Sequence, residues 1–356
     1  MDSKTYWKNR TESKLRMGDK SIAVLKNECQ RLYKISLRNI NKEIEAFYGR
    51  YATMNKLTVA EVNKRLDPKE LKSAKEEIKA YYDLVNKLCK DNEGKISVEL
   101  LRKYKEKIRL QSARAYMSRL EGLKASLEYH LVDMGFREEI KFHDELSRLC
   151  GDVHSLSSYE IDKQLGFSAG YDSLPSQKIN QLVNERWLGE NYSDRIWKDK
   201  GKLIDDINNI FLQGIARGQN PSVMAKEISK KYGTSFYNAE RLCITESAHI
   251  TESATMETYR QHGVDEIEFV ATLDEHTCPI CGELDGKHYP RKEAVTGGNY
   301  PPVHPNCRCT TVAYFEPDEI DKMFEDYRIA RENGSGEWYE VPADMTYQQW
   351  KDTIGE

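Results

Sequence analysis

The stretch Ile267-Glu268-Phe269-Val270-Ala271-Thr272-Leu273 runs directly into Asp274-Glu275-His276-Thr277-Cys278-Pro279-Ile280-Cys281, and here the chain changes its architecture. Upstream, apolar residues recur at helical steps. From Ile267 the period drops to two, with Ile267, Phe269, Ala271 and Leu273 alternating with Glu268, Val270 and Thr272, which predicts a strand. A second short strand is expected across Thr310 to Phe315. Between them lie two clusters of metal-capable residues, Cys278-Pro279-Ile280-Cys281 and His304-Pro305-Asn306-Cys307-Arg308-Cys309. A Cys-x-x-Cys turn sets two thiolates on one side of a tight loop, and the second cluster can close a tetrahedral site from the other side. That arrangement suits Zn²⁺, which takes four soft or borderline ligands at ~2.3 Å for sulfur and ~2.0–2.1 Å for imidazole nitrogen.

Five candidates compete for four places. Cys278, Cys281 and Cys307 fill three, and the fourth falls to His304 or Cys309, between which the sequence does not decide. Four protein ligands leave no open position for water, so a structural ion is expected rather than a catalytic one. The intervening Gly282 to Val303 carries Gly286, Gly297-Gly298, Pro290 and Pro301-Pro302 and few apolar residues, so a hydrophobic core cannot order it. A metal that binds only the folded form can, and in small zinc modules it contributes on the order of 10 kcal/mol. His276 and His288 fall outside the paired spacing and read as surface histidines. Cys29, Cys89, Cys150 and Cys243 are scattered and read as small buried thiols.

Working outward toward the N-terminus, the first 150 residues read as long helices. Tyr33, Leu37, Ile40, Ile44, Phe47 and Tyr51 form one apolar stripe, and Met117, Leu120, Leu123, Leu127, Leu131 and Met134 form another. Asp67-Pro68 and Asp91-Asn92-Glu93-Gly94 are turn signals between helices. Ser, Gly, Asp and Pro collect in Gly151-Asp152, Ser155 to Ser158, Ser168 to Gly170 and Pro175, which places a hinge at 151–184. Three helices follow. The first carries Leu203, Ile207, Phe211 and Ile215 and stops at Gly218. The second opens at Asn220-Pro221 and ends at Gly233, and the third starts near Ser235 and ends at Gly263. Glu246, Glu252, Asp205 and Asp206 read as helix-surface carboxylates, and Trp187, Tyr192 and Trp197 as packing anchors.

The expected fold class is mainly α, with a long N-terminal helical region and a C-terminal α+β module holding a short β-sheet and a structural zinc knuckle. The expected divisions are a basic helical region at 1–150, the hinge at 151–184, the cysteine-bearing domain at 185–320 and an acidic tail at 321–356. Of the 356 residues, 31% are charged and 39% apolar, and the formal net charge of -4 hides an asymmetry. Residues 1–130 carry 30 Lys and Arg against 18 Asp and Glu, a net +12, which leaves -16 for the remainder. Such a division suggests that the basic half meets a polyanion or an acidic surface. The densest basic run, Arg102 to Arg109, reads as a solvated helix face. Met1 to Arg10 is polar, and no uncharged apolar stretch reaches the ~18 residues that cross a bilayer, so a soluble chain made in a reducing cytoplasm is expected.

The run Asp274 to Gly286, followed by Pro301-Pro302-Val303-His304-Pro305-Asn306-Cys307-Arg308-Cys309, resembles the phage Mu F-like head morphogenesis, or minor capsid, family. Tyr192-Ser193-Asp194-Arg195-Ile196-Trp197, Arg241 to Glu246 and Val341 to Trp350 are similar to the same family. The likeness is specific over roughly 185–315 and general over the first 150 residues. Two departures are Ile244 before Thr245-Glu246, where the family often has Arg, and His276, where it often has an Arg that could pair with Asp274. The resemblance implies a non-enzymatic structural protein of the head interior, near the portal, present in the host cytoplasm during assembly. It implies the portal protein as partner, with packaged double-stranded DNA and other head proteins as further neighbours and no membrane. Some relatives are fused to toxin domains, but the short stretch after residue 320 is too small for one. Against this stands a metal-dependent nuclease of the His-Asn-His kind, suggested by Gly297-Gly298-Asn299 before His304, although no convincing second metal-holding residue follows. A non-specific DNA-binding protein is the third expectation.

Overall fold

The computed structural model describes residues 11–52, 57–165, 173–314, 327–331, 338–342 and 345–354. The chain is mainly helical with a small three-stranded antiparallel sheet. Its helices are α1 (Thr11–Tyr51), α2 (Val59–Val62), α3 (Pro68–Asp91), α4 (Val98–Ser112), α5 (Arg119–Leu165), α6 (Ser176–Val183), α7 (Tyr192–Ala216) and α8 (Pro221–Gln261). Then come β1 (Glu266–Val270), α9 (Pro279–Leu284), β2 (His288–Pro290), β3 (Thr310–Tyr314), β4 (Tyr327–Arg331), β5 (Trp338–Pro342) and α10 (Tyr347–Ile354). The residues gather into two units. One comprises Met1–Leu25, Glu145–Asn191 and Arg241–Glu356, and the other comprises Lys26–Asp144 and Tyr192–Glu240.

The second of these units is all helical. Both stripes read from the sequence face the interior there, with Ile40, Ile44 and Phe47 at 2% exposure or less and Leu37 and Tyr51 only half-buried. Phe47 meets Phe211 of α7 edge-on, with 6.2 Å between ring centroids. Asp67 caps α3 as the turn signal predicts. Its carboxylate accepts from the Lys69 and Glu70 backbone N–H groups while Glu70 reaches back to the Asp67 N–H, a reciprocal cap with Pro68 in the first turn. The hairpin of α3 and α4 packs Ile78, Val85, Cys89 and Ile108 against Tyr129, Phe136 and Ile140 of α5 and Trp197 of α7. Here the unit holds a buried ion pair, Lys200 Nζ to Glu138 at 2.8 Å, with both side chains 1% exposed. Beside it, Glu139 accepts from the Ser97 N–H and the Trp197 indole N–H.

Two expectations about helices are corrected. Gly233 does not end a helix, because α8 runs unbroken from Pro221 to Gln261. Its apolar face explains this. Met224, Ile228, Tyr232, Phe236, Ala239, Cys243, Ser247, Ile250 and Ala254 step by four and three straight through the glycine, so continuous packing outweighs the ~1 kcal/mol that one glycine costs a helix. The Gly, Asp and Ser signals at 151–158 likewise lie inside α5, where Leu146, Leu149, Cys150, Val153 and Ile161 continue an apolar stripe at 0% exposure. Ser168 to Gly170 lies outside the described residues, and Pro175, the last signal of that hinge reading, stands at the N-cap of α6.

In the first unit the sheet order is β2-β1-β3, both pairings antiparallel. Strand β1 is therefore central, and its alternating sequence does not translate into an exposed face: Ile267, Glu268 and Phe269 are all fully buried. Ile267 and Val270 pack with Ile161, Tyr259 and Val312, whereas Phe269 packs with the cysteine cluster and Trp350. Strand β3 ends the expected 310–315 strand at Tyr314, and Phe315 lies outside the described residues. The stretch read as an acidic tail supplies the hairpin of β4 and β5, joined through Ala330 to Leu273, together with α10.

Candidate metal centre

Cys278 ends the irregular segment after β1 and serves as the N-cap of α9, its sulfur accepting from the Cys281 N–H at 3.4 Å with Pro279 in the first turn. This is the local reason for the Cys-Pro-x-Cys order. The proline starts the helix at no hydrogen-bond cost, and the backbone aims an N–H at the first sulfur. One turn later Cys281 points inward and is buried.

The second cluster arrives on the tight turn His304-Pro305-Asn306-Cys307. The Cys307 N–H donates to the His304 carbonyl at 3.1 Å, and Asn306 takes a left-handed φ of 68°. Asparagine tolerates that conformation better than most residues with a side chain. Thr245 of α8 reaches this turn, and its hydroxyl accepts from the Asn306 N–H at 3.1 Å. Its neighbour Glu246 accepts from the Trp187 indole N–H at 3.2 Å, and Trp187 stacks on His249 with centroids 4.5 Å apart. Glu246 and Glu252 are thus corrected from surface carboxylates to buried ones, at 2% and 1% exposure.

All five sequence-derived donors come together. Cys278, Cys281 and His304 form one group, Cys281, Cys307 and Cys309 another, and within each group the ligand atoms lie within 4.8 Å of one another. Cys281 belongs to both, its Sγ 3.4 Å from His304 Nε2 and 3.9 Å from Cys307 Sγ. His304 Nδ1 lies 2.8 Å from the Pro305 carbonyl, which can only accept, so the proton belongs on Nδ1 and the Nε2 lone pair is free to bind a cation. None of these cysteines is in a disulfide. Hydrogen bonding to Cys307 pushes the Cys281 thiol up, and S–H donation from Cys281 and Cys309 holds Cys307 far below the usual thiol value. Several sulfurs this close cannot all ionise without a cation, and a bound metal would take the place of their protons. The donor set suits a metal ion. Cys29, Cys89, Cys150 and Cys243 are buried and outside any disulfide, as the reading of scattered small thiols expected.

The surrounding shell was mostly unseen in the sequence. Asp274, with His276 two residues on, pairs with Arg308 Nη2 at 2.5 Å. The arginine between the two last cysteines therefore supplies the partner that position 276 lacks. Asp285 accepts from the Ala271 N–H at 2.8 Å and the Tyr347 N–H at 2.9 Å. The Tyr347 hydroxyl donates to the Thr277 carbonyl at 2.9 Å, and Trp350, 2% exposed, lies in one buried cluster with Phe269, Ala330, Cys281, Cys307 and Cys309 and donates its indole N–H to the Tyr339 hydroxyl at 2.8 Å. Deeper in the same unit, Lys14 of α1 lies 3.6 Å from Glu252 and donates to the Thr311 carbonyl at 2.8 Å, while Glu252 also accepts from the hydroxyls of Thr310 and Thr311. His288 faces Glu268 across β1 and β2, and its ring meets Tyr314 at a tilt of 40°. The described helices include none long and apolar enough to cross a membrane.

Comparison with known proteins bears on the same residues. Residues 205–312 match the family described as Phage Mu protein F like protein, a span that runs from α7 into β3 and includes Thr245-Glu246 and both cysteine clusters. The chain is 24% identical over 197 residues to NAD(+)--arginine ADP-ribosyltransferase EFV of Enterococcus faecalis (strain ATCC 700802 / V583). That alignment covers 51% of this chain and 40% of the relative, so the chain spans well under half of that protein's length. No solved structure matches. Over residues 205–312 the chain is thus similar to the family of Phage Mu protein F like proteins.

Proposed function

We propose that the protein is a minor component of a tailed-phage head, a non-enzymatic morphogenesis protein that binds the portal and carries one structural Zn²⁺. The observation that supports this best is the convergence of Cys278, Cys281, His304, Cys307 and Cys309 inside the stretch that matches the Mu F-like family. A bound ion would cross-link the start of α9 to the His304–Cys309 turn and hold the polar loop between them. Metal analysis of purified protein should give one zinc per chain, and Cys278→Ser should lose it. Comparing His304→Ala with Cys309→Ser identifies the fourth ligand, since only one of the two should release the ion. Co-expression with the portal protein of the same genome should yield a complex, and its absence would count against the portal role.

Contact with packaged DNA is part of the same reading. Lys34, Arg38 and Lys42 are exposed at four-residue steps on α1 and, among the described residues, make no ion pair. The run at 102–109 is partly neutralised instead, Lys107 by Glu128 and Arg109 by Glu106. Binding through such cations would be sequence-independent, weakening with salt by a log–log slope of about -0.9 per phosphate contact. Replacing all three with glutamine should make that slope shallower.

The likeness to an ADP-ribosyltransferase supports a second reading, in which the chain transfers ADP-ribose from NAD⁺ to arginine. Incubation with labelled NAD⁺ and an arginine-bearing acceptor separates the two, because label on the acceptor would favour the enzyme. Plasmid cleavage with Mg²⁺ or Mn²⁺ that disappears in His304→Ala would favour the nuclease.

A further inference from the structure

The C-terminal helix α10 is seated on the first half of the candidate metal centre and is tied as well to β5, where the Trp350 indole N–H donates to the Tyr339 hydroxyl at 2.8 Å. The Tyr347 hydroxyl donates to the carbonyl of Thr277, the residue before Cys278, and the Tyr347 N–H donates to Asp285, the residue after α9. Its ring lies flat against Gly282, the residue after Cys281, so closely that a Cβ at 282 would stand 2.4 Å from Cδ1 and 2.6 Å from Cε1 of the ring. Trp350, one turn on, is 2% exposed and lies in one buried cluster with Phe269, Ala330, Cys281, Cys307 and Cys309. The seats of Tyr347, at Thr277, Gly282 and Asp285, all lie within four residues of Cys278 or Cys281, whereas Trp350 is shared between the cysteines and their neighbours Phe269 and Tyr339.

Two physical facts follow. Helix α10 has eight residues, and isolated helices shorter than ~12–15 residues are marginal in water, so it depends on its seat. The seat of Tyr347 is the Thr277–Asp285 arm, a polar segment whose inward anchors are Cys281, Leu284 and the Asp285 carboxylate on the Ala271 N–H, and whose remaining order, on the reading above, comes from the ion. We propose that α10 is a metal-dependent strap. It closes over the loaded centre, shielding the sulfurs, and is released when the ion leaves, exposing Tyr347 and Trp350 as an aromatic surface. This rests on the structural-metal reading, and the test separates the two.

Hydrogen–deuterium exchange of the full chain would be followed for the peptide covering 345–354 and for a reference peptide inside α8, with metal content measured on the same samples. Chelation should remove the ion and speed exchange at 345–354 at least tenfold, leaving the α8 reference within twofold. Tyr347→Ala should release the strap while keeping the metal, and so should Gly282→Ala, which pushes the ring off from the opposite side. Two variants are used so that a folding failure in one leaves the other to decide. Loss of metal with 345–354 still protected would overturn the strap and leave the metal site standing. Equal loss of protection in 345–354 and α8 would overturn it too, since the whole unit would then unfold together. Protein that purifies without metal, with 345–354 already protected, would defeat the metal reading itself and the strap with it.

Discussion

Lys14→Met should destabilise the cysteine-bearing unit more than any surface change. The ammonium of Lys14 is 3.6 Å from Glu252, with side-chain exposures of 8% and 1%, and it also donates to the Thr311 carbonyl at 2.8 Å. Burial pushes the Lys14 pKa down, and the nearby Glu252 carboxylate offsets part of that. Methionine fills similar volume but leaves Glu252 as a buried anion whose remaining described donors are the Thr310 and Thr311 hydroxyls. Removing one partner of a buried pair typically costs about 3–5 kcal/mol, because the surviving charge is stranded. At roughly 2–4 °C per kcal/mol for a unit of this size, the melting temperature should fall by about 10 °C. The penalty belongs to the stranded charge, so Lys14→Met combined with Glu252→Gln should recover more than half of it. Calorimetric or circular-dichroism melts of wild type, both singles and the double complete the cycle. A Lys14→Met cost under ~1 kcal/mol, or a double variant no better than the worse single, would refute the argument that this pair is desolvated and coupled.

Three further outcomes are expected. Gly233→Ala should stabilise by about 0.5–1 kcal/mol, since residue 233 is exposed within α8 and an added Cβ meets nothing within 4 Å; urea unfolding that shows destabilisation would instead mean that the helix breaks there. Gly135→Ala should cost roughly 1–3 kcal/mol, because the new Cβ would stand 2.9 Å from the rigid Trp197 indole, and replacing Trp197 with leucine in the same chain should relieve part of the loss. Burial pushes Glu257 upward, but hydrogen bonds from Arg260, Gln261 and Lys178 outweigh it and hold its pKa at about 2, against the usual 4.5. A carboxylate depressed in the folded state contributes stability above its unfolded value and loses it as pH falls through the folded one, so acid melts between pH 4.5 and 2 should show a shallower decline in Glu257→Gln than in wild type.

Much of the centre was legible because its chemistry is local. Cys-Pro-x-Cys writes its own cap and turn, and the Pro-Asn between His304 and Cys307 writes another, so the donors could be named before their meeting was seen. The shell was not legible, because each of its contacts joins distant parts of the chain. Nothing near Asp274 in sequence announces Arg308, and nothing near Cys281 announces Tyr347. Glu252 looked like a surface carboxylate because helical spacing does not tell which polar residue faces a strand edge. Gly233 and the 151–158 signals misled for a related reason. Local breaker propensity is worth about 1 kcal/mol, and a buried apolar stripe running through it is worth several.

By itself the sequence determined the helical stripes, the change of period at Ile267 and the identity of five metal-capable residues, because each depends on spacing along the backbone. Only the tertiary structure decided that β1 is central and buried on both sides, that α8 is one helix, that Lys14 and Glu252 meet in a buried interior, and that α10 folds back onto the cysteines. Those outcomes depend on which surfaces lose water to which others, and that competition is settled over the folded chain rather than within any window of it.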